Sequence, residues 1–196
     1  MSSSLAAEGA PGRALPAPGT PTLYVDRLES PLGDLLVAAD HLAVYLVEFA
    51  ERTTLQSQLD ALARELGCTF QDGGCGLTEA AGRQLQEYFA GGRQVFDLPI
   101  ATPGSRLQQQ VWRRIATIPY GETASYGAIA QEIRRPLAHR AVGRATGQNR
   151  LALLVPCHRV VGANGALTGY AAGIAHKRWL LDHERSAGGE LAHPSS

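Results

Sequence analysis

The strongest constraint on the fold is a run of five apolar residues at positions 151–155, which leads into Pro156 and Cys157. An unbroken apolar run of this length is typical of a short segment buried on all sides, rather than of a strand with one solvent-facing side. Proline fixes φ and has no N–H, so regular pairing should stop just before the cysteine. We therefore expect Cys157 at the edge of the core, at the end of a buried segment.

Cys157 is followed directly by His158 and Arg159, which places two cationic side-chain types beside a thiol. The thiolate is the nucleophilic form of cysteine, and cationic neighbours lower the pKa of a thiol from its free value of about 8.5. The pattern therefore predicts a reactive Cys157 with a lowered pKa. The alternative is an inert cysteine buried for packing, which is the commonest state of an unpaired thiol in a core.

The composition is that of a packed chain without disulfides. Of the 196 residues, 44% are apolar and 18% are charged, which is enough apolar surface for a core. The three cysteines are odd in number and show no dense spacing, so a disulfide framework is not expected. The N-terminus has no basic stretch followed by an apolar block, and no run approaches about 18 apolar residues. We expect a soluble protein of the reducing bacterial cytoplasm, with no membrane partner.

The net charge of zero hides an uneven distribution. Residues 1–102 contain 6 arginines against 13 acidic residues, a balance of −7. Residues 103–185 contain 12 basic against 4 acidic residues, a balance of +8. This asymmetry predicts that the second half alone contacts a polyanion.

The first half of the chain has the pattern of a small sheet with two helices. Short β-type runs separated by brief turns predict an antiparallel meander. Thr54 is the predicted cap of the first helix, and Gly67 is its predicted end. No catalytic groups cluster in this half. The strands are predicted over residues 22–28, 34–38 and 42–49, and the helices over residues 54–66 and 78–89.

We infer no function from two further features of the sequence. Cys68 and Cys75 are separated by six residues, whereas paired zinc ligands lie two to four residues apart, so two ordinary thiols and no metal are expected. Residues 1–21 and 186–196 are rich in Ser, Ala, Gly and Pro without periodicity, and we expect both ends to be disordered.

The second half predicts a helix-turn-helix. A helix over residues 105–118 is followed by two short helices, over residues 125–133 and 139–146, with a tight break between them. Together the halves predict an α+β protein, with a small antiparallel-sheet and helix domain over residues 22–102. A mostly helical domain with the helix-turn-helix follows over residues 103–185.

The second of the two short helices has a composition suited to nucleic acid. Arg140 and Arg144 are four residues apart and therefore share one face, and small residues lie near them. Small side chains allow close approach to a surface, and arginines supply counter-charges to phosphates. The alternative is a solvated basic helix in a bundle. The residues that we predict to contact DNA are Arg140, Arg144, Ala141, Gly143 and Arg159.

Several motifs of the second half resemble one protein family. PCHRVVG, TGYAAG and KRWLLDHE, together with RAVGRATGQN, SYGAIA and QQVWRRIATIPYGET, are similar to the O6-alkylguanine-DNA alkyltransferases, or methylated-DNA–protein-cysteine methyltransferases. The resemblance covers residues 107–184. It implies a monomeric DNA repair protein without a cofactor. Its substrate would be O6-alkylguanine in double-stranded DNA, with the damaged base rotated out of the duplex.

The resemblance also implies roles for individual residues. Cys157 accepts the alkyl group irreversibly, so each molecule reacts once. His158 takes the thiol proton through a water, and Glu184 holds and polarises His158. Tyr126 donates a proton to the guanine ring nitrogen. Lys177 corresponds to a lysine near the family's site.

Further family positions concern the support of the cysteine and the binding of the base. Asn149 braces the turn beneath the cysteine, and Arg140 enters the space that the rotated base leaves. Binding is expected through the minor groove. The implied base pocket consists of Val160, Tyr170, Ala171 and Gly173, partly through their main-chain groups.

The sequence departs from the family pattern at several positions. Many members have proline directly after the hinge asparagine, where this chain has Arg150, and Ala152 also replaces a proline found in some relatives. The expected result is a loop that is more mobile or differently braced, with Arg150 available to a phosphate. Two other functions stay open: a lesion-binding module without catalysis, against which the retained Cys157 argues, and a multiple-turnover cysteine hydrolase.

Overall fold

The computed structural model describes residues 20–190, with only the backbone described for residues 187–190. The predicted disordered lead falls almost entirely outside this range, as do residues 191–196. The last helix runs to Glu190. This corrects the predicted start of a loose tail at residue 186, because residues 186–190 continue the helix.

A four-stranded sheet forms most of the first half. Strands β1 (Thr22–Leu28), β2 (Leu35–Ala39) and β3 (Val44–Phe49) form the predicted antiparallel meander. A fourth strand, β4 (Thr69–Asp72), pairs parallel to β1 and gives the order β3-β2-β1-β4. The sequence analysis missed β4, because this four-residue strand has no fully buried side chain and is defined by its pairing with β1.

Two helices pack on this sheet, α1 (Leu55–Leu66) and α2 (Gly76–Phe89). Gly67 ends α1 in the left-handed conformation at φ 60°, as a C-terminal glycine commonly does. The predicted cap is wrong, since the Thr54 side chain makes no capping hydrogen bond in the described structure.

The second half is mostly helical and contains the predicted pair of short helices. Ser105 and Ser125 cap the first two helices by accepting from backbone N–H groups three residues later. Arg134 has φ 59°, a left-handed conformation that interrupts the helical path between the second and third helices. The helices are α3 (Arg106–Ala116), α4 (Tyr126–Glu132), α5 (His139–Gly147) and α6 (Ile174–Glu190). Two-residue strands β5 (Ala124–Ser125) and β6 (Val160–Val161) pair in parallel.

One hydrophobic core contains side chains from both halves of the chain. The apolar run at residues 151–155 is buried, as predicted, and it forms turns rather than a strand. It is attached to the edge strand β3, where Val47 N–H donates to Arg150 O and Ala152 N–H donates to Val47 O, both at 2.8 Å. The N-terminal sheet therefore holds the segment that leads to Cys157. The α+β class is confirmed, and the division at residue 103 stays a prediction.

Cys68 and Cys75 are both buried and unpaired within residues 20–190, and they belong to separate hydrophobic clusters. In that part of the chain, no three His, Cys, Asp or Glu side chains are close enough together to bind a metal ion. None of its helices has both the length and the apolar character needed to cross a membrane.

Candidate active site

Cys157 lies in a single 3₁₀ turn, Cys157–Arg159, and its residue surface is only 8% exposed. The Asn149 amide Nδ2 donates to Cys157 Sγ at 3.2 Å and to Val155 O at 2.9 Å. The Asn149 Oδ1 atom accepts from Leu151 N–H at 3.0 Å. A single buried amide thus links both ends of the turn beneath the sulfur, which is the bracing position expected for Asn149.

The resting thiol of Cys157 is protonated. Burial raises its pKa, and the hydrogen bond from Asn149 only partly opposes this effect. The predicted lowering by cationic neighbours is wrong. Burial is the largest cause, and the His158 Nε2 atom and the Arg159 guanidinium both bind Glu184. A base must therefore remove the thiol proton before the sulfur can act as a strong nucleophile.

His158 has the arrangement of such a base. Its Nε2 atom lies 2.7 Å from Glu184 Oε1, and both side chains are fully buried. Since an ionised carboxylate only accepts, Nε2 carries the hydrogen and Nδ1 keeps its lone pair. Nδ1 has no hydrogen-bond partner among the described residues. Burial lowers the pKa of His158, so its imidazole is neutral at neutral pH and its Nδ1 lone pair can accept a proton.

Glu184 is the centre of a buried polar cluster. Its carboxylate accepts from Arg159 Nε at 2.9 Å, Tyr88 Oη at 2.8 Å and Gly121 N–H at 3.0 Å. Burial alone disfavours the charge, but the hydrogen bonds from His158 and Arg159 and the charge of Arg159 outweigh it and lower the pKa of Glu184 to about 2. The carboxylate therefore stays ionised and can stabilise a positively charged His158.

Arg159 is almost completely buried, which corrects its prediction as a DNA-binding residue. It is 6% exposed, binds Glu184 and donates from Nη1 to Ile118 O at 2.7 Å. Its guanidinium carbon also lies 5.6 Å from the centre of the Tyr120 ring. All of these contacts direct it into the protein, where it holds the Glu184 carboxylate.

Tyr88 was missed by the sequence analysis, and it shows that the first half does supply groups to the site. It lies on α2 and is fully buried among aromatic rings, including Tyr120 and His183. In sequence it looks like an ordinary core position of an amphipathic helix. Nothing local to α2 indicates that Glu184, 96 residues away, accepts its hydroxyl hydrogen bond.

We expect acid to destabilise the protein through Glu184. Its pKa of about 2 lies below the ordinary value of 4.5, so its ionised form stabilises the fold above pH 4.5 and the contribution is lost as the pH falls toward 2. A shift of that size corresponds to about 3 kcal/mol. The free energy of urea unfolding should fall by about this much more in the wild type than in Glu184→Gln over that range. Parallel pH profiles would contradict this assignment.

A cavity of about 320 Å³ lies beside Cys157, within the size range of small-molecule sites. Tyr126 from α4 and Gly143 from α5 line it, as do Tyr170 and Ala171 from the loop that precedes α6. Burial raises the pKa of both Tyr126 and Tyr170, so both phenols remain protonated and able to donate. Within residues 20–190, Tyr170 Oη has no hydrogen-bond partner.

Comparison with known proteins identifies the family of this site. A family model described as "6-O-methylguanine DNA methyltransferase, DNA binding domain" matches residues 106–186. The methylated-DNA–protein-cysteine methyltransferase of Methanosarcina acetivorans is 42% identical over 164 residues, which cover 84% of this chain and 99% of the relative. The chain belongs to the methylated-DNA–protein-cysteine methyltransferase family. The resemblance inferred from the motifs is therefore confirmed.

Solved structures of cysteine methyltransferases have the same fold. The crystal structure of Mycobacterium tuberculosis O6-methylguanine methyltransferase matches with a TM-score of 0.73 and 40% identity, over 89% of this chain and 96% of that one. A second structure, Mycobacterium tuberculosis OGT in complex with DNA, matches with a TM-score of 0.71 and 40% identity, over 85% and 94% of the two chains.

Three residues carried over from the cysteine methyltransferase family lie around the cavity and not in its wall. Lys177 is fully buried, and its Nζ donates to Val160 O at 2.5 Å and to Thr168 O at 3.0 Å. It thus ties β6 to the loop before α6. Gly173 has φ 95°, which favours glycine, and its N–H closes a turn on Tyr170 O at 2.9 Å. Of the described residues that line the cavity, none is Val160, Lys177 or Gly173.

The two arginines of α5 lie on the solvent-exposed side of the helix. Arg140 and Arg144 are exposed, Ala141 is half-buried, and Gly143 borders the cavity. Helix α5 therefore separates a basic surface from the space above Cys157.

Arg150 does not belong to that surface, which corrects its expected availability to a phosphate. Its guanidinium donates two hydrogen bonds to the Glu65 carboxylate on α1, at 2.6 and 3.0 Å. This ion pair lowers the pKa of Glu65. It braces the hinge from the N-terminal half, at the position where many family members have proline.

Proposed function

We propose that this protein removes an alkyl group from O6 of guanine in double-stranded DNA and transfers it irreversibly to Cys157, once per molecule. The observation that carries the proposal is the arrangement of Cys157 at a cavity, with a neutral His158 held by an ionised Glu184. The names of the relatives and the DNA complex of the Mycobacterium tuberculosis structure support the substrate class.

In the proposed reaction, the proton of the thiol passes to His158 Nδ1, through a water, and Glu184 stabilises the resulting imidazolium. The sulfur then attacks the alkyl carbon, so that a C–S bond forms as the C–O6 bond breaks. The electron pair of the broken bond remains on the guanine. The Tyr126 phenol, protonated because burial raises its pKa, donates its proton to the ring nitrogen and neutralises the leaving base. The phenol then regains a proton from solvent, to which the imidazolium of His158 gives up the one that it took from the thiol.

The product explains why the protein is expected to react once. A thioether carbon is a much poorer electrophile than a thioester carbonyl, so water does not release the alkyl group. This argument ranks the multiple-turnover cysteine hydrolase below alkyl transfer. We propose that the protein acts as a monomer on the DNA of the bacterial cytoplasm.

The burial of Cys157 means that the lesion has to come to the sulfur. A base stacked in a duplex cannot enter a cavity of this kind, so the nucleotide has to rotate out at a cost of about a few kcal/mol. In the proposal, α5 approaches the minor groove through Ala141 and Gly143, and Arg140 fills the vacated space. Arg144 contacts phosphate without regard to sequence. The main chain around Tyr170 and Ala171 reads the rotated base.

Mass spectrometry of the intact protein tests this function. After incubation with duplex DNA containing O6-methylguanine, we expect one added methyl group per chain, mapped to the peptide that contains Cys157. Tight binding with the lesion left intact and no added mass would instead indicate the lesion-binding module. Continued release of a methylated small molecule would indicate the hydrolase.

The variant Arg140→Ala tests base rotation. Loss of a side chain that fills the stack should slow methyl transfer from duplex DNA by about tenfold, since the rotated state becomes less stable by about 1 kcal/mol or more. Reaction with the free O6-methylguanine base should change by less than about twofold, because no rotation is needed. Arg83→Ala, at an exposed arginine on α2, is the matched control. Equal losses on both substrates would refute a role in rotation.

A further inference from the structure

A buried ion pair from the N-terminal half lines the same cavity as Cys157. Glu48 on β3 is 2% exposed, and the Arg52 side chain that binds it is 9% exposed. Both residues border the cavity. Placing two charges in the interior costs free energy that can exceed their attraction, so a buried ion pair is weak evidence of a stabilising role.

Arg52 makes a second contact that reaches the DNA-binding half. Its Nη2 donates to Gly147 O at 2.9 Å, and Gly147 is the last residue of α5. Carbonyl groups at a helix C-terminus lack intrahelical partners and carry the negative end of the helix dipole, so a guanidinium is a favourable partner. One side chain therefore spans from β3 to the end of the helix that carries Arg140.

The same end of α5 forms part of the cavity. Gly143, Thr146 and Gly147 all border it, with Cys157 and Asn149 on the neighbouring turn. A shift of the last turn of α5 would change the distance between the base and the sulfur. In-line transfer is sensitive to such shifts, because a displacement of about 1 Å can reduce a rate by about 100-fold.

We propose that Glu48 and Arg52 act together as positioning residues for alkyl transfer, by fixing the C-terminal end of α5 against the cavity of Cys157. The inference rests on the proposed function and adds to it a role for the N-terminal half. The planar guanidinium is essential to this role, because it serves a carboxylate and a carbonyl in two directions at once. A lysine ammonium is a point charge and cannot hold both in the same geometry.

The pair acts through its geometry rather than through its charge, because its two charges shift the pKa of the Cys157 thiol in opposite directions. The Glu48 carboxylate raises the pKa of the Cys157 thiol and the Arg52 guanidinium lowers it. Removing Arg52 alone leaves a buried carboxylate without its partner, whereas removing both charges does not. The single and double variants are therefore expected to differ.

Single-turnover methyl transfer from duplex DNA tests the role of Arg52. For Arg52→Lys we expect a full reaction amplitude and a DNA dissociation constant within about twofold of the wild type, because Arg140 and Arg144 remain on α5. The rate constant at saturating DNA should fall by about tenfold, because the base is less well aligned with the sulfur. Arg83→Lys should match the wild type in all three quantities.

The amplitude of the methyl-transfer reaction distinguishes a positioning defect from a folding defect. A variant that only unfolds part of the protein lowers the amplitude and leaves the rate constant of the folded fraction unchanged. That result, or a wild-type rate constant for Arg52→Lys, would overturn the inference. A wild-type protein that transfers no methyl group would instead refute the proposed function itself.

The double variant Glu48→Gln/Arg52→Gln tests whether the two residues act as a unit. It should react faster than Arg52→Gln, because the unpaired carboxylate is gone while the amide at position 52 is the same in both variants. A double variant that is no faster than Arg52→Gln would show that Glu48 has no part in the positioning.

Discussion

Replacing Cys157 with serine is expected to abolish methyl transfer, with a loss of about 1,000-fold or more. A hydroxyl is a far weaker acid than a thiol, and His158 cannot generate an alkoxide as it can a thiolate. Binding to duplex DNA should stay within about twofold of the wild type, since the phosphate contacts proposed for α5 are untouched. Labelled O6-methylguanine DNA measures the transfer, and a fluorescent duplex measures the binding.

The other two thiols provide matched controls for this variant. Cys68 and Cys75 are buried in the N-terminal half and do not belong to the described residues that line the cavity. Cys68→Ser and Cys75→Ser should therefore keep the full labelling of one methyl group per chain. Labelling that persists in Cys157→Ser, or that disappears in either control, would show that another residue accepts the alkyl group.

Replacing Glu184 with glutamine is expected to lower the transfer rate at neutral pH by about 100-fold. A neutral amide cannot stabilise the imidazolium that forms when His158 takes the thiol proton. The buried Arg159 also loses its anionic partner. The rate should recover as the pH rises toward the pKa of the Cys157 thiol, because hydroxide then removes the proton without the base. A deficit that stays constant across pH would contradict the role of Glu184.

A milder variant distinguishes a loss of catalysis from a folding defect. Tyr88→Phe removes only the hydrogen bond that Tyr88 Oη makes to the same carboxylate. The charge and the contacts of His158 and Arg159 remain, so the loss of rate should be about threefold to tenfold, in line with the net contribution of about 0.5–1.5 kcal/mol from one typical hydrogen bond. The loss should again shrink at high pH. A pH-independent loss in both variants would assign the cluster to folding alone.

Local pattern was sufficient for most of the secondary structure. The meander β1–β3, the helices α1 to α5 and the serine caps follow from periodicity, from turn residues and from side chains that bond within four residues. The two errors have different origins. The Thr54 cap is wrong because a capping residue type does not guarantee a capping conformation. The strand β4 was missed because only its pairing with β1 defines it.

The sequence by itself determined that residues 151–155 are buried and lead to Cys157, and its motifs identified the family. Only the tertiary structure decided the electrostatics around the sulfur. The hydrogen bonds from Arg159 and Tyr88 to Glu184 and from Arg52 to Gly147 join residues far apart in the chain. Burial disfavours the thiolate and raises the pKa of Cys157, and the hydrogen bond from Asn149 only partly opposes it. Burial and the orientation of a charge depend on every element packed around a residue, so neighbours in sequence cannot reveal them.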